Sequence, residues 1–323
     1  MGRYTDRQQL TRFALEALRN PGQALPAMPE GFKIRQPNGK MSTWEREYRK
    51  FQRFIETGQP QWKVFAKGNG KLPFFAWSVL PGFTCPGAGE CLVIARVSDD
   101  LASPTVDLVR ATTKMINGWC YSFKAWRYAA PFFRQLQNTI LLRSQAGRAH
   151  IVQAWQALPL NVDFRLLVDG DITDLDEMRF YWQLLEMRPD VRVYGYSKSW
   201  PVFLAWEKLG RSFPANYLLN LSSGSKFGPN MEAKMREIVN VDGLPIVRER
   251  FLALPVSHKM PSHKLPEFQV WAAELRATAK AQGLGKVWVC PGKCGECTPK
   301  GHACGSRAFE GIPVVIGIHA PGW

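Results

Sequence analysis

The spacing of hydrophobic residues predicts helices at the start of the chain and strands soon after. In residues 1–60, apolar positions recur at helical intervals, with one predicted helix over Asp6–Leu18 and a second, highly charged one over Ser42–Phe54. Near Trp62 the pattern changes to short apolar runs separated by a Gly-Asn-Gly-Lys turn, which is typical of two adjacent strands. We therefore expect an N-terminal helical accessory region, residues 1–60, and a larger second domain, residues 61–323.

The second half of the chain alternates between predicted strands and amphipathic helices. A strand over Phe164–Val168 precedes a helix over Leu175–Met187, which Asp174 can cap. Further strands are predicted in VRVYGYS, NYLLNLS, KVWVC and GIPVVIGIH. Strand-helix units of this length indicate a parallel sheet. The expected fold class is α/β, an open, mostly parallel, partial-barrel-like sheet with N-terminal helices and a C-terminal cysteine-rich loop.

The predicted strands end in the polar sequences DGD, SKS and SSGSK. Ligands of parallel sheets bind at the carboxyl ends of the strands. The paired aspartates suit a divalent ion, and they suit equally a turn that caps the next helix. The lysines suit phosphate or carboxylate. The residues predicted to contact a ligand or an anion are Asp169, Asp171, Lys198, Ser199, Ser223 and Lys226.

Four of the seven cysteines lie within fifteen residues near the C-terminus. The chain starts without a signal peptide and contains no apolar run of membrane-spanning length, so we expect a cytoplasmic location and no membrane partner. In a reducing compartment, clustered thiols favour metal ligation over disulfides. The predicted metal ligands are Cys85, Cys91, Cys120, Cys290, Cys294, Cys297 and Cys304.

The spacing of the tail cysteines, Cys-x3-Cys-x2-Cys followed by Cys304, suits one face of an iron-sulfur cubane, and zinc accepts the same four sulfurs. The upstream cysteines, Cys85, Cys91 and Cys120, form a second candidate site with three thiolates, which would leave one iron of a cubane open. The alternative is that one of the three is a buried free thiol. A zinc knuckle beginning at Cys294 would need its last ligand at Arg307, so His302 is expected to be an exposed loop residue.

The net charge of +15 and the pI near 9.7 indicate a polyanionic partner, with nucleic acid the leading class. Between Leu108 and Val162 no acidic residue occurs, and basic residues alternate with aromatic ones. This pattern suits phosphate neutralisation with base stacking, and equally the core face of a helix. The predicted nucleic-acid contacts are Lys124, Arg127, Arg134 and Arg143.

Several of these segments resemble one known family. FTCPGAGEC at 83–91, WCYSFKAWRY at 119–128, FRLLVDGDI at 164–172, DVRVYGYSKSW at 190–200 and the tail VCPGKCGEC are similar to the phage and plasmid proteins of the gene product 88 family, in order over about residues 65–320. The resemblance implies a mobile-element context and that the cysteines belong together, and it implies no reaction. A weaker architectural similarity is to radical S-adenosylmethionine enzymes.

The sequence thus supports three hypotheses, and it contains no phosphate-loop, dinucleotide-binding or nucleophile-elbow motif. The first is an iron-sulfur protein of a phage or plasmid, with one or two 4Fe-4S clusters or zinc in their place, acting on or near nucleic acid. The second is a zinc-stabilised module that binds nucleic acid or inhibits a partner without catalysis. The third is a radical enzyme with S-adenosylmethionine as a partner.

Overall fold

The computed structural model describes residues 2–19, 25, 27, 43–68, 72–89, 94–97, 106–109, 122, 125–126, 128–256, 260–295, 297–298 and 301–318. Within them the chain alternates between helices and strands as expected. The helices are α1 (Gly2–Arg19), α2 (Thr43–Thr57), α3 (Ala129–Leu142), α4 (Gln145–Gln156), α5 (Leu175–Met187), α6 (Trp200–Lys208), α7 (Pro229–Glu237) and α8 (Glu267–Ala281). The strands are β1 (Ala66–Lys67), β2 (Phe75–Ala76), β3 (Ile94–Val97), β4 (Val106–Val109), β5 (Asp163–Leu166), β6 (Arg192–Ser197), β7 (Tyr217–Ser222), β8 (Val247–Pro255), β9 (Trp288–Val289) and β10 (Val314–Ile318).

Eight of the strands form one open, mostly parallel sheet in the order β1-β2-β5-β6-β7-β8-β10-β9. Only the β1–β2 pair is antiparallel, as the predicted hairpin requires. The other neighbours run parallel, so their carboxyl ends lie along one edge. The strands from β2 to β8 follow one another in chain order apart from the small separate hairpin of β3 and β4, which the sequence pattern did not predict.

The two faces of the sheet have different surroundings because successive side chains point to opposite faces. Phe164, Leu166 and Leu219 belong to the main hydrophobic core. The alternate positions are polar or line a cavity. Ser222, Phe251, Val314 and Trp288 are register partners across four neighbouring strands, and all four line the same cavity.

The sheet is curved like an open barrel. In the hydrogen-bonding order, β2 and β9 lie at opposite edges of the parallel part of the sheet. Cys85 follows β2 and Cys290 follows β9, yet both side chains line one cavity. A flat sheet would keep these two loops several strand widths apart, since neighbouring strands are separated by about 4.8 Å. The concave face therefore encloses the cavity.

The N-terminal helices share the main core with the rest of the chain. Phe13 of α1 and Phe51 of α2 pack against Phe133 of α3, with ring centroids 5.8 and 5.4 Å away. α1 extends from Gly2, before the expected start at Asp6. The division into a region 1–60 and a domain 61–323 stays a prediction. No helix of the described residues combines the length and the apolar character needed to cross a membrane.

Helix α5 begins and ends where the sequence predicts. Asp174 caps it by accepting hydrogen bonds from the backbone nitrogens of Asp176 and Glu177, both at 2.9 Å. In turn, Glu177 accepts a bond from the Thr173 nitrogen at 2.9 Å. The helix is therefore capped without the preceding Asp-Gly-Asp sequence, and Asp169 and Asp171 make other contacts.

The loop that contains Cys85 packs directly on the ends of β6 and β7. The Gly89 nitrogen donates to the Gly224 carbonyl at 2.9 Å, and the Lys226 nitrogen donates to the Gly87 carbonyl at 3.1 Å. Gly87 lies so close to the backbone of Lys198 that a Cβ at this position would overlap the Lys198 carbonyl. The loop can approach the strand ends only because this position has no side chain.

We predict that Gly87→Ala displaces the Cys85 loop from the strand ends, because its Cβ meets rigid backbone. The expected loss of unfolding free energy is about 1–3 kcal/mol, as for other overpacked sites, measured by urea denaturation. Gly285→Ala is the matched control, since no atom lies within 4 Å of the added Cβ. Equal stability of the two variants would contradict this account of the loop.

Candidate thiol-lined site

A cavity of about 550 Å³ lies on the concave face, at the carboxyl ends of the parallel strands. All five described cysteines line it, and all five are free thiols. Four come from the loop between β9 and β10, called here the tail loop (residues 290–313), and one comes from the loop after β2. These cysteines are Cys85, Cys290, Cys294, Cys297 and Cys304. The expected ligands Cys91 and Cys120 lie outside the described residues.

Backbone N–H groups point at three of the five sulfur atoms. The Cys85 Sγ accepts from the Gly82 nitrogen, the Cys290 Sγ from Gly292 and the Cys297 Sγ from Ala303, each at 3.4 Å. Such bonds stabilise a thiolate, and hydrogen bonds to the sulfur atoms are among the factors that set the reduction potential of an iron-sulfur cluster. The tail loop turns tightly at Gly292 and Gly295, whose φ values of 72° and 86° favour glycine.

The tail loop crosses the concave face of the sheet. His302 lies between the rings of Phe74 and Tyr194, with centroids 4.5 and 4.6 Å away. The expectation that His302 is an exposed loop residue was wrong, because the loop covers the sheet and buries the ring. Burial lowers the pKa of His302, and its Nδ1 accepts a hydrogen bond from the Gly305 nitrogen at 3.1 Å. The ring therefore has a structural contact and fills the space between the Phe74 and Tyr194 rings.

A buried arginine holds the far end of the tail loop. Arg248 of β8 is 1% exposed, and its Nη1 donates to the carbonyls of Phe309 and Ile312, both at 2.8 Å. Its Nε donates to the Asn220 Oδ1 at 2.6 Å, and the Asn220 Nδ2 donates to the Cys304 carbonyl at 2.9 Å. Buried polar groups need such partners. Two inward-facing side chains of neighbouring strands thus fix the backbone around Cys304.

Burial keeps the tail thiols protonated when no metal is bound. Burial raises the pKa of Cys290, Cys294 and Cys297. It raises the pKa of Cys304 to about 11, although a hydrogen bond from Tyr196 and the charge of Arg248 act in the opposite direction. The thiols also influence one another, since a thiolate at Cys304 would raise the pKa of Cys290. A cation would remove this mutual repulsion.

Polar side chains also line the cavity. Lys198 Nζ donates to the Ser222 Oγ at 2.9 Å, and Ser223 is a further lining residue. Asp171 accepts three hydrogen bonds, from the Ser197 hydroxyl at 2.7 Å, the Lys198 nitrogen at 2.7 Å and the Ile172 nitrogen at 2.9 Å. Its carboxylate therefore connects the end of β5 to the end of β6, and burial raises its pKa.

The other expected ligand contacts are not among the residues that line the cavity. Asp169 accepts from the Gln135 Nε2 at 2.9 Å, and burial raises its pKa. Ser199 is fully buried, and the ammonium of Lys226 lies 5.3 Å from the centre of the Phe227 ring. The two aspartates hold neighbouring loops through protein donors. Of the described residues, no three His, Cys, Asp or Glu side chains are gathered closely enough to hold a metal ion.

The residues predicted to contact nucleic acid are only partly described. Arg143 is exposed at the end of α3, whereas burial lowers the pKa of Arg134, whose charge interacts with Asp169. Lys124 and Arg127 lie outside the described residues. The aromatic rings of Trp126, Phe132 and Phe133, proposed as stacking groups or core, are buried in the main core, and Tyr128 is exposed. A nucleic-acid partner stays a prediction.

Sequence reasoning missed the side chains that hold the tail loop. Asn220 stands alone among the apolar residues of β7, and Arg248 stands in the charged run at the start of β8. An isolated amide in an otherwise apolar strand is the available signal, because burying it requires a specific hydrogen-bond partner. Arg165 and Tyr196 also line the cavity, and the guanidinium lies 4.6 Å from the centre of the ring.

These features define an α/β protein with a curved parallel sheet and a thiol-lined cavity at its carboxyl edge. A family model described as Gene product 88 matches residues 49–243. Because the match covers more than half of the chain, the chain belongs to the Gene product 88 family. No curated protein and no solved structure matches the chain.

The family match includes the Cys85 loop and the three polar strand ends, and it stops before the tail loop. The family assignment is therefore confirmed for residues 49–243, and its extension to about residue 320 stays a prediction. The phage or plasmid origin also stays a prediction. The likeness to radical S-adenosylmethionine enzymes finds no support in these comparisons.

We predict that Arg248→Met releases the tail loop, because it leaves the acceptors of Asn220, Phe309 and Ile312 unsatisfied. The expected loss of unfolding free energy is at least about 1–3 kcal/mol, with faster amide hydrogen exchange over residues 303–312. Arg192→Met is the control, since that arginine pairs with Asp163 at the surface. Unchanged exchange over 303–312 in the Arg248 variant would contradict this role.

Proposed function

We propose that the cavity holds a metal centre ligated by cysteine thiolates, and that its occupant is an iron-sulfur cluster. One observation carries the proposal. Five free thiols line one cavity on the concave face, although their loops follow strands at opposite edges of the parallel part of the sheet. Thiol groups rarely gather around an internal space for packing alone, and an all-sulfur set is the ligand type of clusters and of zinc.

The cavity favours a cluster over a single zinc ion. Its volume of about 550 Å³ exceeds what one ion with four sulfur ligands requires. Arg165 lines the cavity, and its charge partly offsets the rise that burial causes in the pKa of Cys294. The charge of Arg248 partly offsets the rise that burial causes in the pKa of Cys304. A thiolate-ligated cluster is anionic, so these guanidinium groups and the backbone N–H bonds to sulfur suit it.

The thiols would have to come closer together to ligate. Among the described side chains they line the cavity without forming a set that could hold a metal ion. Gly292 and Gly295 give the tail loop backbone conformations that other residues rarely adopt, so the loop can turn between its cysteines. We propose that binding closes this loop over the cavity, with Cys85 and the two cysteines outside the described residues, Cys91 and Cys120, as the remaining ligands.

When bound, an iron-sulfur cluster would supply electron transfer or an open iron for a small molecule. The protein's own groups would shield it from water, bring cations near it and donate hydrogen bonds to its sulfur ligands. Tyr196, which hydrogen-bonds Cys304, has the position of such a donor. Whether this centre serves a catalytic role, a nucleic-acid partner or S-adenosylmethionine stays a prediction, as does a zinc-stabilised module without catalysis.

We predict that the protein purified without oxygen contains iron and acid-labile sulfide and shows the broad visible absorbance of thiolate-bound iron. Cys294→Ser and Cys304→Ser should each lose at least half of the bound iron, measured by elemental analysis per chain. Ala281→Ser is the control, because it adds the same hydroxymethyl group at the exposed end of α8.

Two outcomes would count against the cluster. Colourless protein with stoichiometric zinc that is lost in the same cysteine variants would replace the cluster by a zinc site. Protein with neither metal after anaerobic reconstitution, or with metal content unaffected by both variants, would contradict a thiolate centre in this cavity.

We predict that the metal-free protein loses stability as the pH rises from 7.5 to 9.5. The tail thiols have raised pKa values in the folded state, so the folded chain holds their protons more tightly than the unfolded chain, whose cysteines titrate near about 8.5. Their contribution is therefore present below that pH and is lost above it. Urea denaturation at the two pH values measures the loss.

The double variant Cys297→Ser/Cys304→Ser isolates this effect from the titration of other groups, since serine does not ionise in this range. It should lose less stability than the parent between the two pH values. Metal-loaded protein should also lose less, because ligated thiolates have already released their protons. An equal loss in the parent and the double variant would contradict the assignment to the thiols.

A further inference from the structure

The cavity lining includes polar groups whose chemistry differs from that of the thiols. Lys198, Ser222 and Ser223 line the cavity at the carboxyl ends of β6 and β7. Arg165 and Lys293 add positive charge to the lining, and Asp171 is the carboxylate among the described lining residues. Cations therefore outnumber carboxylates around the cavity, which favours an anion.

The position of Lys198 is fixed by the surrounding structure on several sides. Its backbone nitrogen donates to Asp171 at 2.7 Å, and its ammonium donates to the Ser222 hydroxyl at 2.9 Å. The Cys85 loop packs on its carbonyl at Gly87, where a Cβ would overlap it. A lysine held in this way loses little conformational entropy when a ligand arrives.

Part of the cavity wall is apolar. Leu167, Phe251, Val314 and Ile316 line it, and they come from β8, β10 and the residue after β5. Trp288 also lines the cavity, and its buried indole N–H has no hydrogen-bond acceptor among the described residues. Apolar walls with a few placed polar groups are typical of small-molecule sites, and the volume lies within their usual range of roughly 300–1,000 Å³.

From these features we infer that the cavity binds a small organic anion. Its carboxylate or phosphate lies on Lys198, Ser222 and Ser223, its apolar body lies along Phe251 and the neighbouring wall, and its far end faces the thiols. Binding at Lys198 does not require the metal, so this inference goes beyond the proposed metal centre. Measuring iron in the same samples separates a failure of one from a failure of the other.

Four probes test the two parts of this ligand by isothermal titration calorimetry. Benzoate and phenyl phosphate carry an apolar ring with a carboxylate or a phosphate, and they show which anion Lys198 accepts. Benzyl alcohol has the ring without the charge, and inorganic phosphate has the charge without the ring. We expect benzoate or phenyl phosphate to bind at least tenfold more tightly than benzyl alcohol and than inorganic phosphate.

Lys198→Met should weaken the preferred anion at least tenfold while leaving benzyl alcohol within about twofold, where a tenfold change corresponds to about 1.4 kcal/mol. Lys226→Met is the matched control, since this lysine also follows a serine-rich strand end but lies over Phe227. Ser222→Ala is a second, milder variant and should weaken the same anion severalfold. Circular dichroism and thermal melts confirm that each variant is folded.

Several results would overturn the inference. The first is that the wild type binds no anionic probe, and the second is that it binds benzyl alcohol and the anions with equal affinity. The third is that Lys198→Met and Lys226→Met lose anion affinity to the same extent. If Lys198→Met fails to fold, unchanged anion affinity in Ser222→Ala would overturn it as well. Protein that binds the anion but contains no iron would count against the metal centre and would not affect the inferred anion site.

Discussion

A buried guanidinium organises the concave side of this protein. A charged group in the interior of a sheet destabilises the fold unless each of its donors meets an acceptor. Arg248 meets this requirement through Asn220 on the next strand and through two carbonyls of the tail loop. The sheet and the loop therefore depend on each other, because the loop supplies acceptors that the sheet needs. The cavity exists in the space that this arrangement leaves above the strands.

Close packing of backbone on backbone has a similar role at the carboxyl ends of β6 and β7. The Cys85 loop contacts the ends of β6 and β7 through main-chain hydrogen bonds and through a glycine that leaves room for a carbonyl. Asp171 then joins β5 to β6. Main-chain contacts are less sensitive to side-chain identity than packing contacts are. The position of the loop therefore depends on main-chain contacts and on the absence of a side chain at Gly87.

The sequence predicted the elements whose signals are local. The Asp174 cap, the strands that become β5–β7 and the position of their polar ends at one edge follow from short-range patterns and from parallel topology. The tail loop was harder, because its contacts join residues far apart in the chain. Nothing near His302 indicates that Phe74 and Tyr194 would enclose it. The same holds for Asn220 and Arg248, whose partners are backbone atoms of the tail loop.

The cysteine loops follow strands at opposite edges of the parallel part of the sheet, and this placement also constrains the order in which the parts of the cavity are synthesised. Cys85 precedes most of the sheet in the chain, whereas the tail loop follows α8 and comes late in the chain. During synthesis the strands from β2 to β8 leave the ribosome before the residues that cover their concave face. A nascent chain would expose that face, including the buried charge of Arg248, until the tail loop arrives. The cavity is therefore complete only after the tail loop has been synthesised, and a chain released before that point would keep its concave face uncovered.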